Sequence, residues 1–308
     1  MKKIIFCCVI IFVIHWQELY AQQLLSGNYL NQNLYLINPA TAGLKNDSIP
    51  VSVHYRNQWT GFTGSPKTLF LSSNGKFNDY NALGGWLAME KIGPFNTFSG
   101  QFSYTYYTFL HPKIKMGLSL AGRFQQYALD RNYLKPDNDN DQLLNTNFKN
   151  SWTGNASFGI HLEHEYVFLG LAAPNLFETK IKLTESKNNV EQTHYYSYMG
   201  GYIPLSRLWV VSPIFGARFT NAAPLQFDFS AKAIYNQKYW AGINVRTGES
   251  IGAFAGLNYN KLSFGYTFEY VFNSLKFATL GSHEIMLVYQ LKFKSPPSAP
   301  QDAQPTEN

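Results

Sequence analysis

Apolar and polar side chains alternate along most of this chain. At 281–293, Ile285, Leu287, Tyr289, Leu291 and Phe293 fall on one parity, and Glu284, Met286, Val288, Gln290 and Lys292 on the other. Successive strand residues point to opposite faces. The stretch therefore predicts a strand with one apolar face, long enough to cross a bilayer when tilted. Its unpaired backbone groups would be costly in hydrocarbon, so such a strand belongs to a closed barrel. Thirteen further stretches carry the same signal: 51–59, 67–77, 83–91, 97–107, 113–125, 152–162, 166–173, 194–203, 208–219, 225–235, 239–246, 251–259 and 262–270. In the first, Val51, Val53, Tyr55 and Trp59 are expected outward, with Ser52, His54, Arg56 and Gln58 inward. At 97–107, Phe98, Phe102, Tyr104 and Tyr106 oppose Ser99, Gln101, Ser103 and Thr105. Pro213 removes a ladder donor in mid-strand and predicts a bulge there. The expected fold class is all-β: a transmembrane antiparallel β-barrel of about 14 strands.

The connections alternate in length. Those at 110–112, 163–165, 204–207, 236–238 and 260 are tight, those at 128–150 and 174–193 are long, and 271–281 is intermediate. The turn at 78–81 is longer than this rhythm asks, and those near Asn221 and Thr247 are shorter. Short periplasmic turns, long external loops and an even strand count place both termini in the periplasm. Residues 1–21 read as a signal peptide: Lys2 and Lys3, an apolar stretch at 4–14, and Ala21 before the cut. Both cysteines, Cys7 and Cys8, lie inside it, so the mature chain is expected to be free of thiols. Residues 22–48 form an N-terminal non-strand segment at or in the barrel mouth. A short helix at 29–37 precedes the Asn38-Pro39 turn. The barrel occupies 49–294, and a Pro-, Ser- and Gln-rich tail at 295–308 reads as disordered and periplasmic.

Composition agrees. Charged residues are 14% and aromatics 17%, while the mean hydropathy of -0.22 is slightly negative. Two faces that average out produce this profile. The net charge of +6 forms no basic run, so nucleic acid is not expected as a partner.

Little catalytic chemistry is marked. His161 and His164 have opposite parity and diverge. Asp137, Asp139 and Asp141 resemble the start of a calcium loop, but Gln142 stands where glycine is needed and Phe148 where glutamate is needed. Ser282, His283 and Glu284 alternate between faces and cannot converge as a triad. The chain is read as a non-enzyme with no metal and no cofactor. Inward Arg56, Lys115, Arg123, Lys232, Arg246, Asp228, Glu269 and Glu284 fit internal ion pairs or, less simply, an ion-selective pore. Trp59, Trp152, Trp209 and Tyr239 fit an interfacial girdle.

Several short patterns together resemble the PorP/SprF family of type IX secretion system outer-membrane proteins from Bacteroidota. They are 36–43 (LINPATAG), with Asn38, Pro39 and Gly43; Tyr55, Arg56, Asn57, Gln58 and Trp59; 64–68 with Pro66 and Lys67; 170–176 with Pro174 and Asn175; and Gly281, Ser282, His283 and Glu284 before Ile285. The resemblance implies an outer-membrane barrel that works with the export and gliding machinery and with outer-membrane lipid. Such a barrel supports export or surface anchoring of cargo, such as adhesins carrying a C-terminal sorting domain. It marks the residues just named as candidates for family motif or partner contact. The loops at 61–66, 128–150 and 174–193 are the expected cargo surface, and the Asn38-Pro39 segment with the periplasmic turns the expected machinery surface. The alternative is a small-solute diffusion channel.

Overall fold

A computed structural model describes residues 32–44, 48–61, 63–130, 150–181, 189–221, 223–272, 277 and 279–292. The leader at 1–21, the calcium-like run at 137–141, Phe293 and the tail at 295–308 lie outside them.

Two 3-10 turns, Leu34–Leu36 and Pro39–Thr41, precede the strands. The strands are β1 (Ser48–Asn57), β2 (Lys67–Lys76), β3 (Asn81–Ile92), β4 (Phe95–His111), β5 (Ile114–Leu129), β6 (Ser151–Glu163), β7 (Val167–Asn175), β8 (Thr179–Ile181), β9 (Asn189–Glu191), β10 (His194–Gly201), β11 (Ile203–Pro204), β12 (Trp209–Thr220), β13 (Ala223–Tyr235), β14 (Tyr239–Arg246), β15 (Ser250–Tyr259), β16 (Leu262–Val271) and β17 (Ser282–Lys292). β8 and β9 pair only with each other. The others form one antiparallel sheet whose ends meet through β10 and β12. Counting β11 as the continuation of β10, this is a closed barrel of 14 strands. β1 pairs with β17 from Ser48↔Lys292 to Asn57↔His283, so the first and last strands are neighbours.

The alternation settles each side chain's face. Val53, Tyr55, Phe102, Tyr104, Ile285 and Leu287 are exposed on the outer wall. Ser52, His54, Arg56, Ser99, Ser103, Thr105 and Glu284 are buried within. Trp152, Trp209 and Tyr239 are exposed on the outside, as a girdle requires.

The two ends differ. The end holding Ser48 and Lys292 carries the tight turns at 77–80, 112–113, 164–166, 205–208, 236–238 and 260–261. Asn236, Gln237 and Asn260 there adopt positive φ, the backbone of a tight hairpin. The opposite end carries every long connection, at 58–66, 130–150, 176–193 and 272–281. We call these the terminal end and the loop end.

Three expectations need correction. Pro213 makes no bulge. It pairs with Ala231, and the β12 ladder keeps one register from Gly200↔Ile214 to Ile203↔Val211. The missing N–H interrupts pairing between β10 and β11 without inserting a residue; register shifts occur instead at His194/Tyr196, Arg218/Thr220 and Phe109/His111. In the described part of 29–37, Gln32 is helical and Leu34–Leu36 form a 3-10 turn, so the expected helix is broken at Asn33 and its last turn ends before Asn38-Pro39. Finally, Trp59 is not on the wall: β1 stops at Asn57, and Trp59 sits in the rim turn with φ 54°.

Candidate functional site: a filled lumen and a loop-bearing rim

The N-terminal segment lies inside the barrel. Asn38, Ala40 and Ala42 are wholly buried. The Asn38 side chain caps its own turn by accepting from the Ala40 amide (2.9 Å). Its amide nitrogen donates to the Ile160 and Leu171 carbonyls and to the Tyr198 hydroxyl (2.9, 3.3 and 3.0 Å), binding the turn to β6, β7 and β10. The Thr105 hydroxyl donates to the Pro39 carbonyl (2.9 Å), and the Tyr107 hydroxyl to the Ala42 carbonyl (2.6 Å). The Gly43 amide donates to the Asn74 side chain (2.8 Å). The Tyr35 hydroxyl meets Ser103 (2.8 Å) and is pushed well above the usual phenol range by burial. Asn33 donates to Ser52 and Ser72, and Gln32 to Thr267 across the lumen.

Glycines make the seat for this plug. A Cβ at Gly159 would run into the Asn38 amide, one at Gly170 into the Tyr198 ring, and one at Gly117 into the Ala40 carbonyl. Glycine inside a strand marks such close approach. Most of these partners sit in the terminal half of the barrel; Gln32 reaches past it, since Thr267 stands opposite Glu284. Beside the plug remains a cavity of about 340 Å³, lined by Gln32, Asn33, Lys232, Trp240, Met286 and Gln290 among others.

The loop half is filled by ions. Arg56 of β1 reaches Glu284 of β17 (3.2 Å) and Glu269 of β16, all three buried. His54 stands 3.7 Å from Glu284. Asn244 donates to Glu269 (3.2 Å). Next along the wall, Asp228 accepts from Arg246 (2.8 Å) and Arg218 (3.0 Å). Arg246 also pairs with Glu249 in the β14–β15 turn (3.1 Å), whose other oxygen accepts from Gln226 (2.8 Å). Burial alone would push the Glu249 carboxyl up; Arg246 beside it holds it below its ordinary value. On the facing wall, Arg123 donates to Asn175 (2.6 Å), and Asn175 donates to Glu191 of the β8–β9 hairpin (2.9 Å). Glu191 and Ile181 are buried, so this hairpin folds over the lumen. In the Arg56 and Arg246 clusters the ions are mutually compensated, as charge removed from water must be.

The motif residues thus fall into separate places. Asn38, Pro39 and Gly43 belong to the plug. The Asn38-Pro39 turn was expected to offer a partner surface; burial against the inner wall removes it from any surface. Arg56 and Glu284 meet in the lumen. Pro174 accepts from Ser157 (2.6 Å) beside Asn175 at the hairpin's base. At the seam rim, the backbone of Thr60 bonds both Gly281 and Leu280: the Thr60 amide donates to the Gly281 carbonyl (2.8 Å), and the Leu280 amide to the Thr60 carbonyl (2.7 Å). The Trp59 amide donates to Ser282 (3.1 Å), and the Gln58 amide to Pro66 (2.8 Å). Gly281, with φ 100°, lets the chain turn into β17. Tyr55, Lys67 and His283 face outward; the imidazole Nδ1 of His283 meets the Tyr266 hydroxyl (2.7 Å). His161 lies inside against Tyr198 (3.0 Å) while His164 sits in a turn. Tyr198, Tyr107, Gly117, Gly159, Gly170 and Arg218 are parts of the filling that alternation alone does not single out. The in-strand glycines were the available signal.

A model of the family described as type IX secretion system membrane protein PorP/SprF matches residues 18–289. The chain belongs to this family. PorP/SprF membership and the barrel make it an outer-membrane β-barrel of type IX secretion. The search of curated proteins found no match. Among solved structures, the chain is similar to a Pseudomonas aeruginosa FadL homologue at TM-score 0.54 and 8% identity, covering 85% of this chain and 94% of that one. It is also similar to the Ralstonia pickettii toluene transporter TbuX at TM-score 0.51 and 10% identity, covering 85% and 93%. At such identities the likeness is one of fold.

Proposed function

We propose that this PorP/SprF protein supports export or surface anchoring of cargo proteins by type IX secretion, and that it does so through its loop-end rim and not as a conduit. The filled lumen carries this reading. A plug seated on glycines occupies one half and a compensated ion network the other. A 14-stranded barrel is in any case too narrow to pass a folded adhesin. We orient the loop end outward and both termini toward the periplasm, because transmembrane barrels keep short turns inside and long loops outside. The cargo surface is then the rim that carries the connections 58–66, 130–150, 176–193 and 272–281, with the seam from Trp59 to Gly281 among them. The terminal-end turns face the machinery. The same filling speaks against a small-solute diffusion channel, and no catalytic constellation among the described residues favours an enzyme.

The test is deletion of the gene followed by quantitative comparison of surface and secreted proteins. Loss of one or more proteins carrying a C-terminal sorting domain, restored by the intact gene, is the expected result. An unchanged set sinks the proposal.

A further inference from the structure

The outer wall from β1 to β5 carries two side-chain rows whose register is fixed by strand pairing. One row is Tyr55, Leu69, Met89, Phe98 and Gln126, each directly opposite the next. The row one step nearer the loop end is Asn57, Lys67, Lys91, Asn96 and Ala128, again in direct opposition. From β1 to β4 an apolar row is thus capped by a polar row with two cations at its centre. Most of these residues, from Tyr55 and Lys67 to Gln126 and Ala128, line one groove of about 380 Å³ on this wall. Glu90 also borders it, but its carboxylate accepts from the buried Thr68 hydroxyl (3.3 Å).

Lys67 and Lys91 are opposed on adjacent strands, an arrangement that is unfavourable unless something shares their charge. Lys91 has a long, half-exposed contact with Asp130 (3.7 Å), a weak pair. Lys67 has no ion pair among the described residues. The cations sit where the apolar belt ends, at the depth of lipid headgroups.

We propose that this groove binds a phosphorylated membrane lipid. Lys67 and Lys91 share its phosphate, Asn96 flanks it, and an acyl chain lies along Tyr55, Leu69, Met89 and Phe98. Charge complementarity selects an anion, and the apolar row beneath selects one carrying hydrocarbon.

The test uses the full-length folded barrel in detergent, with a heat-modifiable gel shift as the check on folding. Binding of dioleoyl phosphatidic acid is titrated and read by native mass spectrometry, with dioleoylglycerol and inorganic phosphate as comparison arms. Retention of phosphatidic acid but not of dioleoylglycerol is expected. K67Q with K91Q should weaken it roughly thirty-fold, at the contribution typical of one interfacial cation each. The control pair K238Q and K261Q, at the terminal end, should leave it unchanged. Phosphatidic acid binding unaltered by K67Q and K91Q, or equal binding of dioleoylglycerol, overturns the site. Displacement of the lipid by inorganic phosphate at equal concentration overturns the lipid assignment and leaves a free-anion site.

Discussion

The two halves of this lumen are filled by different physics. The terminal half is closed by a neutral segment held by Asn38 and Tyr107 through backbone carbonyls and by the Tyr198 hydroxyl, which accepts from Asn38. The loop half is closed by charged side chains of the strands and their turns, through Arg56, Arg218 and Arg246 against Asp228, Glu249, Glu269 and Glu284, with the β8–β9 hairpin folded over them. A plug that arrives as a separate segment has to be recognised, so its contacts are directional and the wall is carved by glycines to receive it. Ion pairs between strands assemble as the strands assemble. They also tie β1 to β16 and β17 across the seam where the barrel closes. The first filling is a docked part, and the second belongs to the wall.

This contrast fixes the order of mutational effects. Arg56→Met should be the most damaging, because Glu269 and Glu284 are left buried without their guanidinium; about 3–5 kcal/mol is expected. Urea unfolding of the barrel in lipid vesicles measures it, and adding Glu269→Gln and Glu284→Gln should recover much of the loss. Gly170→Ala forces a methyl group into the Tyr198 ring and should cost about 1–3 kcal/mol while leaving the ion network paired. Asn38→Ala leaves the Ala40 amide and the wall carbonyls without their partner, again about 1–3 kcal/mol. Its signature is local. A cysteine at Thr41, in a chain lacking Cys7 and Cys8, should be protected from a water-soluble maleimide in the parent and labelled after Asn38→Ala. Equal labelling in both would mean that the segment is not seated. Tyr107→Phe removes the hydroxyl shared between the Ala40 and Ala42 carbonyls of the plug and should cost about 1 kcal/mol by the same unfolding assay.

Strand positions and faces were legible in the sequence because period-two alternation is dictated by the membrane on one side and the lumen on the other. The internal charges were legible for the same reason: Arg56, Arg246, Glu269 and Glu284 sit on inward parity in strands whose other face is apolar. Which charges pair was not legible. Arg56 and Glu269 are brought together by barrel closure, which spacing along the chain does not encode. The depth of the plug was also hidden. The Asn38-Pro39 turn announces an irregular path, but its burial depends on Gly159 and Gly170 more than a hundred residues away, and a lone strand glycine has several meanings. Pro213 shows the opposite error: a strong local signal was absorbed by an interruption without a register change.

The measurement that bears most directly on the central claim is single-channel recording on the purified barrel in planar bilayers. The filled lumen predicts no stable conductance for the parent, and continued closure after Asn38→Ala with Gly170→Ala, because the ion network still spans the loop half. A steady open pore in the parent protein would contradict the account.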